Sequence, residues 1–200
     1  MSRAVPLLKK VAEANLPSRF GQFRIFGFSG LGEEAVALKM GDLSAGAPPL
    51  LRIHSQCLTG DVFHSLRCDC RAQLELALET IAREGRGLVI YEHQEGRGIG
   101  LLNKLRAYEL QDNGADTVEA NEQLGFDADL RGYELPARIV QYFGLTAVRL
   151  MSNNPEKIQA LERAGVRVAE RVPCLVTPVQ SAEDYLRTKK EKLGHLLDPV

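Results

Sequence analysis

A continuous apolar run that leads through a glycine-rich turn into a helical pattern is the sequence feature that most narrows the fold. The run "GRGLVIYEH" is typical of a buried strand. It continues into "QEGRGIG", in which three glycines fall within five residues, and then into the helical pattern "IGLLNKLRAYELQDNG", which opens near Ile99. A strand that turns directly into a helix indicates a sheet with helices packed against it.

Shorter patterns on both sides extend this sheet and its helices. Alternating or β-branched residues predict strands in "FGQFRIFGF", "EEAVALKMGD", "PPLLRIHS", "AVRLMS" and "VRVAERVPCLVTP". Helical spacing predicts "AQLELALETIAREG" with Gly85 as its stop, "PARIVQYFG" with Pro136 as its first residue, "NNPEKIQALERAG" with Asn154 as its cap, and a charged final helix "AEDYLRTKKEKLGHLL". We expect an α+β fold, a single mixed α/β domain over residues 1–200 with a central sheet flanked by helices.

One polar stretch stands apart from this regular pattern. The residues "ADTVEANEQLGFDADLR", from Ala115 to Arg131, show neither a strand period nor a helix period. A long irregular segment inside a compact domain is uncommon unless it is functional. Residues 115–131 are therefore predicted to form an active-site loop.

Three of the four cysteines are gathered in "RIHSQCLTGDVFHSLRCDC". Cys57, Cys68 and Cys70 follow a C-x10-C-x-C spacing that resembles no zinc finger or ribbon. Structural zinc sites are usually closed by four protein ligands, whereas catalytic sites typically keep the fourth position for water. Three clustered thiols favour an open zinc site that activates water.

Two histidines leave an alternative open. His54 or His64 would close the site if either bound the metal, and a closed site would be structural. The fourth cysteine, Cys174, lies far along the chain in the apolar "RVPCLV". It is interpreted as a buried strand cysteine.

The glycine turn and its neighbourhood suggest an anionic substrate. Backbone amides at the start of a helix bind anions readily. Basic side chains fall around the same motifs, namely Arg52, Arg67, Arg71, Arg97, Lys104, Arg106 and Arg131. Carboxylates for proton transfer or magnesium are offered by Glu95, Glu119, Asp127 and Asp129. The residues by themselves indicate a zinc hydrolase that acts on a phosphorylated metabolite.

Bulk properties exclude several other classes. The net charge of −1 gives no overall attraction to nucleic acid or to an anionic membrane. No apolar run approaches the length of a membrane helix, and the N-terminus lacks a secretory apolar region. We therefore expect no membrane or nucleic-acid partner, and we expect the cytoplasm as the compartment.

Four motifs in the same order resemble GTP cyclohydrolase II. They are "RIHSQCLTGDVFHSLRCDC", "HQEGRGIGLLNKLRAYELQD", "DTVEANEQLGF" and "MSNNPEKI", and the similarity runs from about Leu16 to Leu197. The resemblance implies that GTP loses carbon 8 of its imidazole ring as formate and also loses pyrophosphate. The product would be 2,5-diamino-6-(5-phosphoribosylamino)pyrimidin-4-one, in the first committed step of riboflavin synthesis.

The resemblance also implies roles for individual residues. Cys57, Cys68 and Cys70 would bind one Zn²⁺ per chain, and Mg²⁺ would accompany the triphosphate. The positions that match GTP contacts are Arg52, Ile53, His54, Ser55, Gln56, Gln73, Glu95, Gly96, Arg97, Thr117, Ser152 and Lys157. The family is a homodimer as a rule, so a homodimer is expected here.

Three residues match proposed catalytic positions of the family. Asp129 corresponds to the proton acceptor, Arg131 to the nucleophile at the α-phosphorus, and Tyr108 to a tyrosine that completes deformylation. A guanidinium is nearly always charged, so an electrostatic clamp is a rival role for Arg131.

Two departures from the family and two rival functions remain. Gln56 stands where the family usually has glutamate in "HSEC", and Ser152 stands where threonine is common. One rival is a nucleic-acid-binding module with a structural zinc, favoured only by the "RTKKEK" run at 187–192. The other is a paralogue that only partly processes a purine nucleotide.

Overall fold

A computed structural model describes residues 8–127, 129–176, 194 and 196 of the chain. The strands within these residues are β1 Lys9–Ser18, β2 Gly21–Gly30, β3 Glu33–Met40, β4 Leu50–Ser55, β5 Gly87–Glu92, β6 Ala147–Met151 and β7 Arg167–Val172. The α-helices are α1 Leu58–Asp61, α2 Cys70–Glu84, α3 Leu101–Asp112, α4 Thr117–Gln123, α5 Glu134–Tyr142 and α6 Pro155–Arg163, and a 3₁₀ turn covers Glu95–Gly98.

The strands form one mixed sheet in the order β1-β2-β3-β5-β4-β6-β7. The pairs β1–β2, β2–β3 and β3–β5 are antiparallel. From β5 through β4 and β6 to β7 the strands run parallel. Because parallel strands end at the same edge, the segments that follow β4, β5 and β6 meet there. That edge is where open parallel sheets usually bind ligands.

Helices cover both faces of the parallel part of the sheet. Successive side chains of each strand point to opposite faces, so they pack against different helices. Leu51 and Ile53 of β4 point into a core that includes α5 and α6. Their neighbour Leu50 points the other way, into a second core with Ala77 and Ile81 of α2. Burying each of these aliphatic side chains contributes about 2 kcal/mol, so the helices hold the parallel strands in place from both sides.

Most predicted elements are confirmed. Helix α2 ends as expected at Gly85, which adopts the left-handed conformation with a φ of 72°. Asn154 caps α6 by accepting a hydrogen bond from the amide of Glu156 at 2.9 Å. The mixed α/β architecture with a central sheet flanked by helices is the one that the sequence predicts.

Three local expectations are wrong. Residues 117–123 of the stretch expected to be irregular form α4, because Asp116 and Glu119 build a capping box at its start. Helix α5 begins at Glu134, two residues before Pro136, which lies inside its first turn. Cys174 is fully buried, as expected, but it follows the end of β7 instead of lying in a strand.

Strand β1 has no counterpart among the predicted elements. Nearly all of its residues are exposed, so the alternation that reveals a half-buried strand is missing. The predicted helix "AEDYLRTKKEKLGHLL" lies almost entirely outside the described residues. In the part of the chain that the structure describes, no helix has the length and apolarity to cross a membrane.

Candidate metal centre and substrate cavity

The three clustered cysteines come together at the carboxyl end of β4. Cys57 directly precedes α1, and Cys70 is the first residue of α2. The Sγ atoms of Cys57, Cys68 and Cys70 all lie within 4.8 Å of one another, and those of Cys57 and Cys68 are 3.7 Å apart. The chain folds them together because α1 turns it back within a few residues of Cys57.

No histidine or carboxylate joins these thiols within residues 8–127 and 129–176. His54 lies on β4 with its Nε2 atom 3.1 Å from Oδ1 of Asp61, and His64 is exposed. The site thus offers three protein ligands to a metal ion, as in an open centre. Three thiols are ligands that suit zinc, so the residues fit the predicted ion.

Gly60 leaves the space that the cysteine cluster needs. A Cβ atom at this position would lie 2.8 Å from Sγ of Cys68, 3.1 Å from Sγ of Cys57 and 3.2 Å from Cβ of Cys70. The first distance is shorter than real Cβ atoms show, and the other two are tighter than most such contacts. The glycine therefore lets α1 pack directly on the cluster.

Asp61 holds the first cysteine in place. Its buried carboxylate accepts hydrogen bonds from the backbone amide of Cys57 at 3.0 Å and from the hydroxyl of Tyr91 at 2.8 Å. The same carboxylate lies 3.1 Å from Nε2 of His54. Burial lowers the pKa of His54, so the neutral imidazole donates from Nε2 to Asp61.

A lysine approaches the cluster from α3. Nζ of Lys104 lies 3.1 Å from Sγ of Cys57 and 2.7 Å from Oε1 of Glu95. Burial opposes the charge, yet Cys57 and Glu95 raise the pKa of Lys104 above its usual value. Glu95 also accepts from the amide of Leu58 at 2.7 Å, which ties the turn after β5 to the start of α1.

The thiols differ strongly in their affinity for a proton. Hydrogen bonds from Cys68 and Cys70 hold the pKa of Cys57 well below its usual range. The hydrogen bond with Cys57 raises the pKa of Cys68 to about 11, and the pKa of Cys70 is raised for the same reason. Cys57 is thus the position where negative charge concentrates, next to Lys104.

The cysteines line a cavity of about 440 Å³ at the edge of the sheet. Many of the other predicted site residues line it as well, namely Ser55, Gln56, Glu95, Gly96, Arg97, Tyr108 and Arg131. A smaller cavity of about 70 Å³ adjoins it and shares four of its residues, including Arg97 and Arg131. The smaller cavity adds Arg52, His54, Gln73, Ser152 and Lys157 from the predicted set.

Two predicted site residues, Ile53 and Asp129, are not among the residues that line either cavity. The side chain of Ile53 is completely buried, and its carbonyl oxygen accepts a hydrogen bond from Lys157. Asp129 is bound to Arg131, and Thr117 is the first residue of α4. Most of the predicted site residues thus lie around one pair of adjoining cavities.

Arg131 and Asp129 form a fork at the end of the loop that precedes α5. Nε of Arg131 donates to both carboxylate oxygens of Asp129, at 2.8 and 3.1 Å, and Nη2 also donates to Oδ2. Burial opposes the charge of Asp129, but these hydrogen bonds hold its pKa below the usual value. The guanidinium is thereby held in one plane beside the cavity.

The glycine turn after β5 positions Arg97. Gly96 and Arg97 both have positive φ angles, of 61° and 59°, which is rare for a residue with a side chain. A Cβ at Gly98 would lie 3.0 Å from Cβ of Leu130, and the amide of Leu130 donates to the carbonyl of Arg97 at 3.0 Å. The turn is therefore packed against the segment that carries Arg131.

Two further predicted residues occupy opposite ends of the site. The hydroxyl of Tyr108 lies 3.1 Å from Oγ1 of Thr59, which lies 3.7 Å from Sγ of Cys57. Lys157 is only 5% exposed, and its Nζ donates to the carbonyl of Ile53 at 2.8 Å. Burial lowers the pKa of Lys157 to about 7.

Sequence reasoning missed several residues of this site, among them Gly60, Asp61, Tyr91 and Glu92. Asp61 lies four residues after Cys57, a spacing at which side chain and backbone meet in a helical turn. That spacing could have signalled its role. Tyr91 and Glu92 belong to another strand, and no local pattern connects them to the cysteines.

Comparison with known proteins gives one family. The family model for GTP cyclohydrolase II matches residues 9–173. The GTP cyclohydrolase-2 of Shewanella amazonensis is 55% identical over 192 residues, which cover 95% of this chain and 94% of that protein. The GTP cyclohydrolase-2 of Escherichia coli O9:H4 is 55% identical over 193 residues, with coverages of 96% and 98%.

A solved structure is also similar, at a level too low to support an argument. It is a two-domain 3,4-dihydroxy-2-butanone 4-phosphate synthase from A. baumannii. The similarity has a TM-score of 0.43 at 14% identity and covers 74% of this chain and 35% of that one.

Proposed function

The chain belongs to the GTP cyclohydrolase II family, and we propose from this that it hydrolyses GTP in riboflavin biosynthesis. The imidazole ring of GTP is opened, carbon 8 leaves as formate, and pyrophosphate is released. The product is 2,5-diamino-6-(5-phosphoribosylamino)pyrimidin-4-one. The observation that carries the proposal is that a three-thiol centre and several buried cations border the same pair of cavities.

Zinc is the proposed ion, held by Cys57, Cys68 and Cys70. When bound, it would supply a Lewis acid that polarises an electrophile and lowers the pKa of water. Lys104 and Asp61 would keep Cys57 in position for it, the lysine by its charge and the aspartate through the backbone amide. The proposed stoichiometry is one zinc ion per chain.

Arg131 is proposed to act as an electrostatic clamp on the phosphates. Its Nε and Nη2 atoms donate to Asp129, and its Nη1 lies 3.4 Å from Oγ of Ser55. Every nitrogen of the guanidinium is thus engaged as a donor, which favours the charged form over a nucleophile. In this role Asp129 orients the fork, and proton transfer by Asp129 would require the fork to open.

The remaining predicted residues are proposed to bind or orient GTP. Lys157, Arg97 and Arg52 supply positive charge that suits a triphosphate, and Mg²⁺ is the proposed counterion of that group. Tyr108, close to Thr59 and Cys57, is placed to donate a hydrogen bond near the metal end. Partial burial raises the pKa of its hydroxyl, which therefore stays protonated.

Mass spectrometry of the products tests this proposal directly. Purified protein with GTP and magnesium should release formate, pyrophosphate and the diaminopyrimidine, whereas a paralogue with partial activity would accumulate a formylated intermediate. Cys68→Ser should lose both zinc and ring opening. Full activity in a zinc-free preparation would exclude the proposed centre.

The rival function, a nucleic-acid module with a structural zinc, is less well supported. It needs a fourth metal ligand, and none joins the cysteines within the described residues. A gel shift without GTP turnover would favour it. A homodimer and a cytoplasmic location are further proposals from family membership, and light scattering of the purified protein tests the first of them.

A further inference from the structure

Glu92 is a buried carboxylate at the site to which neither the sequence nor the proposed mechanism gives a role. It is the last residue of β5, it is 1% exposed, and it pairs with Ser55 in the parallel register of β4 and β5. Oγ of Ser55 donates to its Oε1 at 2.6 Å. Its Oε2 accepts no hydrogen bond from any residue that the structure describes.

The contacts of the Ser55 hydroxyl link Glu92 to two cations. Nζ of Lys157 and Nη1 of Arg131 each lie 3.4 Å from Oγ of Ser55. A serine hydroxyl has one proton to donate and two lone pairs that accept. Because the proton goes to Glu92, both lone pairs are left for Lys157 and Arg131.

We propose that Glu92 is a positioning residue that acts through the Ser55 hydroxyl to aim Lys157 and Arg131 at the substrate. This inference rests on the proposed function and deepens it. A glutamine in place of Glu92 could donate to Ser55, occupy one lone pair and displace one cation. A carboxylate can only accept, so it keeps the hydroxyl pointing in a single direction.

The charges around Lys157 support this role. Desolvation lowers the pKa of Lys157, and the positive charges of Arg52 and Arg131 lower it further. The negative charges of Glu92 and Asp129 raise it. Asp129 is already bound by Arg131. Glu92 is thus the carboxylate that chiefly stabilises the charged form of Lys157, while the pKa of Glu92 itself is raised by burial.

The first test replaces Glu92 by glutamine and compares it with Glu34→Gln, an exposed carboxylate on the neighbouring strand β3. Hydrogen bonds to charged groups contribute enough that we expect KM for GTP to rise about 10-fold in Glu92→Gln. Glu34→Gln should stay within about 2-fold of the wild type. Zinc content and melting temperature should match the wild type in both variants, so that a loss reports positioning and not unfolding.

The second test is a double-mutant cycle with Ser55→Ala. If Glu92 acts through the hydroxyl, the double variant should be about as impaired as Ser55→Ala alone. Fully additive losses would overturn the proposal, because they would show two independent roles. If Glu92→Gln does not fold, Ser55→Ala decides by itself, since KM unchanged in that variant would exclude the link.

The pH profile provides a third measurement that a merely structural role would not change. Charged Lys157 favours an anionic substrate, so KM should rise as the pH increases through its pKa of about 7. The groups facing Lys157 are Glu92 on β5, Arg52 on β4, Tyr133 at the start of α5, and Arg131 with Asp129 on the preceding loop. Removing Glu92 lowers this pKa, so the rise should begin about one pH unit lower in Glu92→Gln.

The failure of this inference can be told apart from the failure of the proposed function. A wild-type protein that does not turn over GTP refutes the function. An active wild type with an unchanged KM and pH profile in Glu92→Gln refutes the role of Glu92 alone.

Discussion

Single residues near the cysteines decide whether three thiols can act as one centre. Asp61 accepts hydrogen bonds from the backbone amide of Cys57 and the hydroxyl of Tyr91. Gly60 allows α1 to pack closely against the sulfur atoms. Neither residue carries the chemistry of the proposed reaction. Both act by geometry, so their substitution should affect the metal before it affects the fold.

Gly60→Ala should lower zinc content and activity together. The glycine lies inside α1 without a positive φ, so alanine suits its backbone, and any loss reflects the Cβ atom against Sγ of Cys68. We expect zinc occupancy to fall by about half or more, measured by atomic absorption after gel filtration. Gly27→Ala is the matched control, because a Cβ there meets nothing within 4 Å. Full zinc occupancy in Gly60→Ala would contradict the packing argument.

Arg131→Lys tests the clamp. Lysine keeps the charge but loses the planar fork that engages Asp129 and Ser55. We therefore expect kcat/KM to fall by about 10²-fold or more. Near-normal turnover would mean that a point charge suffices, and it would exclude both a clamp that depends on the planar fork and the nucleophile.

Gln56→Glu tests the departure from the family pattern. Gln56 is half-buried and lines the larger cavity, and its backbone N–H donates to the backbone carbonyl of Glu92 at 2.9 Å. If this position only orients the substrate, turnover should change by less than about 10-fold, equivalent to ~1.4 kcal/mol. A large gain with a new acidic limb in the pH profile would instead show that a proton carrier is missing here.

At the scale of elements, the site is assembled from turns and loops that meet near the carboxyl ends of the parallel strands. The turn after β5 carries Glu95 and Arg97, the loop before α5 carries Arg131, and the loop after β6 carries Ser152. Short helices between them set the spacing. Helix α4 is the clearest case, because its capping box is built from Asp116 while Asp116 and Asn121 both line the cavity.

Asp116→Ala should loosen α4 and weaken GTP binding. The cap satisfies the amides of Val118 and Glu119, and its loss typically costs about 1 kcal/mol. We expect faster hydrogen exchange in α4 and a KM for GTP raised about 5-fold. Asp116→Asn is the control, since asparagine caps equally well. Equal effects of both substitutions would point to the charge of Asp116 instead of its cap.

At the scale of the whole molecule, the parallel and antiparallel parts of the sheet have different relations to the site. The antiparallel strands β1 to β3 extend the sheet away from the site, and the parallel strands bring their carboxyl ends to it. Cys57 follows β4, and Cys70 opens α2, which packs under the parallel strands. A bound metal would therefore connect the site to one of the two cores.

Removing the metal should destabilise the fold as a whole. Ligand binding to the native state adds to its stability, so a chelator should lower the melting temperature by about 5–10 °C. Calorimetry of the protein with and without chelator measures this shift. Cys68→Ser should show no further decrease with chelator. A wild-type melting temperature that stays constant while zinc is lost would show that the centre is uncoupled from the core.

The sequence by itself determined the features that depend on neighbours along the chain. Strand and helix periods, the stop at Gly85, the cap at Asn154 and the clustering of the cysteines all arise from contacts within a few residues. Long motifs in a fixed order identified the family and the residues around the cavity. The exposed strand β1 and the capped helix α4 escaped notice, because the first lacks a buried face and the second has a local cap without a clear period.

Only the tertiary structure decided which distant side chains meet. Asp61 accepts a hydrogen bond from the hydroxyl of Tyr91 on β5, and Lys104 of α3 contacts Cys57. Glu92 is linked to Lys157 of α6 through the hydroxyl of Ser55. These contacts join segments tens of residues apart, and no local period encodes them. They exist because parallel strands end at a common edge, where burial makes each unpaired polar atom costly and so selects one arrangement.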